Sequence, residues 1–233
     1  MNSTAALTVA SAAAWRALYC AIAMNSTAAL AVASAVAWRA LYCAIAWACP
    51  RDNFCTPAFL SRYISSAHAV ALVALAAAPR APWWPAAACA IPLGYLAHDA
   101  LLLLAEPSLW DPVMLGHHLA FAALVAVGPE AYPNYTAWGF LAETAVPFLN
   151  LGWAMVKTGA DKSHPRAFRA VSAAVLLTFF VFRVCTFAAF VATAVMLGDW
   201  YMAAPMAALT AMNWSWFAIL LRRVARDQRE HQK

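Results

Sequence analysis

The sequence carries very little charge for its length. Only 11% of its 233 residues are Asp, Glu, Lys or Arg, whereas soluble globular domains contain about 25%. Apolar residues make up 65% of the chain and occur in long runs, and the mean hydropathy is +0.68. This lack of charge excludes an ordinary soluble enzyme and predicts a protein that crosses a membrane several times.

The sequence also lacks the patterns of several other protein classes. Its six cysteines show neither CxxC pairs nor zinc-site spacing, no window alternates like a barrel strand, and no nucleotide or nucleic-acid motif occurs. We therefore predict an all-α fold, a polytopic membrane helix bundle of about seven transmembrane helices. The predicted spans are 24–48, 62–78, 83–105, 112–128, 134–156, 167–197 and 200–221.

The first 46 residues are two nearly identical copies of one apolar segment. The copies cover 1–23 and 24–46 and differ only at Thr8/Ala31 and Ala13/Val36. Seven spans from residue 24 onward already account for the charge pattern of the loops. We therefore interpret the second copy as the first span and predict that the first copy is dispensable.

Lysine and arginine are concentrated on one predicted side of the membrane. The break at 157–169 and the tail from Arg222 are both strongly basic, and 48–62 adds Arg51 and Arg62. Basic loops face the cytosol in most membrane proteins. We predict an integral membrane protein with a cytosolic C-terminus, and we take the endoplasmic reticulum as the default organelle.

A set of polar side chains interrupts the apolar spans at a similar predicted depth, roughly 8–12 Å below the cytosolic face. An aspartate in the hydrocarbon costs about 2.5–3.5 kcal/mol, so such groups should face a partner or a polar cavity. The adjacent His117 and His118, with Asp99 to fix one imidazole tautomer, are the candidate catalytic residues. The candidate substrate-binding residues are His68, Asn150 and Asn213.

Two more ionisable residues receive a structural interpretation. Arg183 is expected nearer the luminal face, where Glu143 is its predicted partner. His98 points about 100° away from Asp99 on a helix and is treated as secondary. The HxxxH and HxxHH spacings of di-iron lipid oxidases are missing, so no metal site is predicted.

A series of short segments resembles the TLC-domain family of multi-pass membrane proteins. The segments lie between residues 60 and 222 and read SSAHAV, GYLAHDALLL, GHHLAF, ETAVPFLNLGW, FFVFRV and NWSWF. The family includes ceramide synthases, whose histidine pair is the acyl-transfer centre, and non-synthase members linked to lipid homeostasis. The resemblance implies that His117 and His118 are this pair and Asp99 the buried acid. The segment after the pair lacks the synthases' longer acidic motif and is more similar to the non-synthase branch.

With the resemblance, the chain divides into the repeated N-terminus (1–46), a TLC-like transmembrane domain (47–222) and a basic cytosolic tail (223–233). We expect a protein that binds long-chain lipid or acyl groups in a cytosol-side polar chamber and acts in membrane lipid homeostasis. One alternative is an N-acyltransferase that uses acyl-CoA as co-substrate and a sphingoid amine, with no other cofactor. The other is a transporter, although no inverted repeat is visible. The expected partners are membrane lipids, not nucleic acid, and the oligomeric state stays open.

Overall fold

A computed structural model describes residues 27–49, 56–77 and 81–230 of the protein. Within these ranges 92% of the residues are helical and none belongs to a strand. The prediction of an all-α fold is confirmed. The first copy of the repeat lies outside the described residues.

The helices form two units, with the boundary at Thr136 inside a short helix. The first unit is built mainly from four long helices. These are α1 (Thr27–Ala48), α2 (Pro57–Ala76), α3 (Trp84–Ala105) and α4 (Pro112–Ala131). α3 packs against each of the other three, so it forms the centre of this unit.

The second unit begins within α5 (Pro133–Leu141). A 3₁₀ turn (Ala142–Thr144) leads from it into the next helix. The remaining helices are α6 (Ala145–Thr158), α7 (Ala160–Ser163), α8 (Pro165–Thr178), α9 (Thr186–Met196) and α10 (Trp200–Glu230). A π-helical segment, Phe179–Cys185, joins α8 to α9 without a break. The unit therefore contains one continuous helical path from Pro165 to Met196.

The number of membrane spans agrees with the sequence. Six helical stretches of the described chain are long and apolar enough to cross a membrane, and a shorter apolar stretch covers Pro112–Ala126. Together they fit a polytopic bundle of about seven helices. Each stretch coincides with one predicted span to within a few residues.

The start of α2 differs from the prediction. The helix begins at Pro57 rather than near residue 62, because Thr56 caps it and its Oγ1 accepts a hydrogen bond from the Phe59 N–H. Proline at the first helical position is also favourable. His68 thus lies eleven residues into its helix, roughly 16 Å from its start, instead of about six residues as the predicted span implied.

The close packing of α1 on α3 depends on Gly94. A Cβ atom at this position would collide with Ser34 and lie 2.6 Å from the backbone nitrogen of Ala35. On the same side of α3, the Ile91 carbonyl accepts hydrogen bonds from Ser34 Oγ and Trp38 Nε1, each at 3.3 Å. The second copy of the repeat is therefore an integral part of the first unit.

In the second unit, Arg183 is buried in the π-helical segment with a complete set of contacts. Its Nη2 donates to Glu143 Oε1 at 2.9 Å and its Nε donates to the Ala142 carbonyl at 2.9 Å. The guanidinium carbon also lies 5.4 Å from the centre of the Phe179 ring. The predicted pairing of Arg183 with Glu143 is confirmed.

Candidate functional site

Asp99 of α3 lies beside His118 of α4, deep in the first unit. His118 Nδ1 is 3.5 Å from Asp99 Oδ2, and both side chains are almost completely buried. The contact is close enough for an ion pair but does not have the geometry of a hydrogen bond. A small rotation of the ring would let Nδ1–H donate to the carboxylate, which would leave Nε2 as a free base.

His68 of α2 is stacked on Tyr95 of α3. The ring centres are 3.8 Å apart and the planes are inclined by 11°. Trp38 of α1 meets both rings edge-on, at 5.7 Å from His68 and 5.8 Å from Tyr95. Three helices thus contribute one aromatic side chain each to a single packed group around His68.

Tyr95 also links His68 to the histidine pair. Its ring centre lies 6.3 Å from that of His118, which in turn is 5.8 Å from that of His117. His117 is partly buried and its ring runs nearly parallel to that of Phe121 at 6.4 Å. The two adjacent histidines therefore have different environments. His118 is buried beside Asp99, whereas His117 lies nearer the surface of the unit.

His98 precedes Asp99 in α3, and its side chain lies against α1. Its side chain is buried, and its ring centre lies 5.7 Å from that of Tyr42 in α1. We use the name histidine cluster for His68, His98, Asp99, His117 and His118. Three helices, α2, α3 and α4, supply the members of this cluster, and Trp38 and Tyr42 of α1 pack against it.

The buried imidazoles of the cluster are not saturated with hydrogen bonds. Within the described part of the chain, His68 Nε2, His98 Nε2 and His118 Nδ1 have no hydrogen-bond partner. A buried polar atom left without a partner costs about 1–3 kcal/mol. Three such atoms lie in one small region, which makes this region the candidate functional site.

The two predicted asparagines lie in the second unit. Asn213 of α10 is 2% exposed, and its Oδ1 accepts no hydrogen bond from a described residue. Asn150 of α6 is partly buried and has a partner. The first unit thus brings together four of the six predicted site residues, and the asparagines belong to the second unit.

The arrangement suits proton chemistry. Among the residues that the structure describes, no three His, Cys, Asp or Glu side chains form a group that could hold a metal ion. The cluster offers a carboxylate, several neutral or protonated imidazoles and flat aromatic faces. Such a set can orient a polar lipid head and can accept a proton at His118.

Sequence reasoning missed the residues of α1 and Tyr95. Tyr95 and Asp99 are four positions apart and so lie on one helix face, a spacing visible in the sequence. Arg39 is the only charged residue in α1, and its guanidinium carbon lies 5.3 Å from the centre of the Tyr42 ring. Its charge in an apolar span was a usable signal.

Comparison with known proteins agrees with this architecture. The sequence profile of the TLC domain matches residues 23–222, which includes the second repeat copy, all four helices of the first unit and the histidine cluster. Searches of curated proteins and of solved structures gave no significant match. Because the profile covers most of the chain, the protein belongs to the TLC-domain family of multi-pass membrane proteins.

Proposed function

We propose that the protein binds a long-chain lipid or acyl group at the histidine cluster and acts in membrane lipid homeostasis, as a member of the non-synthase branch of its family. The observation that carries the proposal is the set of buried imidazole nitrogens without hydrogen-bond partners among the described residues. A polar lipid head would supply those partners. The apolar surroundings, such as Ile64 and Leu96, suit an acyl chain.

The lipid class follows from the location of the cluster. Asp99 lies six residues before the end of α3, and His118 lies six residues after the start of α4. Both are roughly 9 Å inside their spans. A ligand that reaches this depth from within the bilayer needs an apolar tail and a polar end, and a long-chain lipid has both.

The proposed orientation places the cluster on the cytosolic side of the endoplasmic reticulum membrane. α10 continues to Glu230, past the apolar stretch that ends at Val224, and its last turns carry exposed Arg222, Arg223 and Arg226. These arginines favour a cytosolic C-terminus. In cells, a cysteine added after Lys233 should become accessible to an impermeant maleimide as soon as the plasma membrane is permeabilised, with the internal membranes intact. Protection of this cysteine in that state would contradict the orientation.

The direct test is the lipid that remains bound to the purified protein. Mass spectrometry of the wild-type chain in mild detergent should identify a specific long-chain lipid in near-stoichiometric amount. His118→Ala and Asp99→Asn should lose most of it while they still insert in the membrane. His164→Ala is the matched control, because His164 lies exposed at the corner before α8. Equal lipid content in all four proteins would contradict the proposal.

The Asp99–His118 contact also favours a second candidate function, an N-acyltransferase. In this reaction an amine nitrogen attacks the carbonyl carbon of acyl-CoA, an amide bond forms and the C–S bond breaks. His118 Nε2 accepts the proton from the amine and returns it to the leaving thiolate, and Asp99 stabilises the imidazolium. The 3.5 Å separation of Nδ1 and Oδ2 suits that role.

One assay separates the two functions. Purified protein is incubated with palmitoyl-CoA and sphinganine, and the N-acylated product and free CoA are measured. Turnover that Asp99→Asn lowers at least tenfold would establish the acyltransferase. Binding of lipid without turnover would support the non-enzymatic function.

A further inference from the structure

Arg39 is the only charged residue in α1, a helix of 22 residues. It lies twelve residues after Thr27 and nine residues before Ala48, roughly 18 Å and 14 Å from the two ends of the helix. Charged residues so far inside a span are rare, and they usually contact a counter-ion, a carbonyl or a polar cavity. At this position an anionic partner would stabilise the Arg39 guanidinium.

Within the described ranges no carboxylate lies at ion-pair distance from Arg39. The contact of Arg39 is the Tyr42 ring at 5.3 Å, and the arginine is exposed at the surface of the first unit. A cation–π contact at an exposed site contributes about 0.5–1 kcal/mol. An arginine at the centre of a span costs about 2.5–3.5 kcal/mol. The contact with Tyr42 is therefore too weak to offset the free-energy cost of placing Arg39 inside the span.

Tyr42 connects Arg39 to the histidine cluster. Its other neighbour is His98, at 5.7 Å between ring centres, which is 3% exposed and has an Nε2 without a hydrogen-bond partner in the described ranges. A guanidinium, a phenol hydroxyl and an imidazole N–H can all donate hydrogen bonds. Three donor groups thus follow one another from the surface of α1 to the buried edge of α3.

We infer that Arg39, Tyr42 and His98 form a subsite for the oxyanion of a lipid, a carboxylate or a phosphate attached to a long acyl chain. The planar guanidinium fork matches both groups with two parallel hydrogen bonds. The exposed side of Arg39 opens toward the lipid, so the ligand can enter from the bilayer. The inference rests on the proposed function and names the class of lipid that the histidine cluster receives.

The test compares three probes with the same chain length in the full-length protein. The protein is placed in phosphatidylcholine nanodiscs with trace radiolabelled palmitate, palmitoyl lysophosphatidate or hexadecanol. The wild type should bind at least one anionic probe about tenfold to a hundredfold more tightly than hexadecanol, the range for a charge-assisted hydrogen bond. A preference for palmitate identifies a carboxylate ligand, and a preference for lysophosphatidate identifies a phosphate.

Two substitutions show whether Arg39 causes the preference. Arg39→Gln should abolish it and leave hexadecanol binding unchanged. Arg39→Lys should keep part of it, because the ammonium retains the charge but not the planar fork. If Arg39→Gln fails to fold, the severalfold loss of anion affinity in Arg39→Lys still tests the inference.

The outcomes separate this inference from the proposed function. Equal binding of all three probes by the wild type overturns the anion subsite but leaves lipid binding intact. If both Arg39 variants bind the anionic probe in preference to hexadecanol as strongly as the wild type does, Arg39 does not cause the preference. If the wild type binds none of the probes, both the proposed function and the subsite are contradicted.

Discussion

The two units place an arginine inside an apolar helix and surround it in different ways. In the second unit Arg183 is buried, donates to Glu143 and to the Ala142 carbonyl, and lies against the Phe179 ring. In the first unit Arg39 is exposed and contacts the ring of Tyr42. Arg183 has its counter-ion within the chain, whereas Arg39 has no carboxylate at ion-pair distance among the described residues.

The difference extends to the other polar groups of the two units. The first unit has three buried imidazole nitrogens without hydrogen-bond partners among its described residues. In the second unit the buried charge of Arg183 is paired with Glu143, and two side-chain oxygens, Asp161 Oδ1 and Asn213 Oδ1, have no hydrogen-bond partner among the described residues. Unsatisfied groups lower stability and are retained where a ligand uses them. The proposed function assigns ligand binding to the first unit, whereas the paired Arg183 has a structural role.

The largest effect on stability should come from breaking the paired arginine. Glu143→Ala leaves the Arg183 guanidinium buried without a counter-ion and should lower the free energy of unfolding by about 3–5 kcal/mol. Arg39→Gln should change it by about 1 kcal/mol or less, since only a cation–π contact is lost. Denaturant unfolding in mild detergent measures both. Similar losses in the two variants would remove the distinction between the arginines.

The next effect should come from the contact between α1 and α3. Gly94→Ala forces a Cβ against Ser34 and the Ala35 backbone and should cost about 1–3 kcal/mol. The control is Gly116→Ala on α4, where a Cβ meets no atom within 4 Å. That variant should gain about 0.5–1 kcal/mol from the higher helix propensity of alanine. If both glycine variants unfold alike, the close approach at Gly94 is not a requirement of the first unit.

A smaller effect is expected for Trp38→Phe, which keeps a ring beside His68 and Tyr95 but removes the indole donor. The lost hydrogen bond to Ile91 should cost about 0.5–1.5 kcal/mol, toward the low end because Ser34 still donates to the same carbonyl. Trp47→Phe, exposed near the end of α1, is the control and should be neutral. Thermal unfolding in detergent compares the two, and equal values would exclude a role for the indole N–H.

The smallest effect is expected from removal of the first repeat copy. A chain that begins at Met24 retains Ser34, Trp38, Arg39 and Tyr42, which supply the contacts of α1 described above. It should therefore insert, unfold at the same temperature and retain the same bound lipid as the full chain. A loss of folding would show that residues 1–23 pack into the first unit.

Much of the fold was predictable because each membrane-spanning helix corresponds to an apolar run of similar length in the sequence. Each of the seven predicted spans coincides with an apolar helical stretch. The Arg183–Glu143 pair was also predictable, since a charge in an apolar span needs a partner of opposite sign at similar depth. The start of α2 was missed because the Thr56–Pro57 cap extends the helix beyond its apolar run.

The candidate site was predictable only where the residue type itself carried the signal. Asp99, His117 and His118 stand out as ionisable groups among apolar ones, and Asp99 and His118 prove to be neighbours. Tyr95, Trp38 and Tyr42 are ordinary aromatic residues of membrane helices, so their place around His68 and His98 depends on how the helices pack. Asn150 and Asn213 were grouped with the histidines by depth along each span, and both belong to the second unit.

The most direct test of the account is to find where an acyl chain lies in the protein. A palmitate analogue with a photoreactive diazirine on its chain is incubated with the full-length protein in nanodiscs and irradiated, and the labelled peptides are identified by mass spectrometry. We predict labels in α1, α3 and α4 near Tyr42, Tyr95 and Phe121, with competition by unlabelled palmitate and a marked loss in His118→Ala. Competable labels confined to residues 137–230 and unchanged in His118→Ala would contradict the assignment of ligand binding to the first unit.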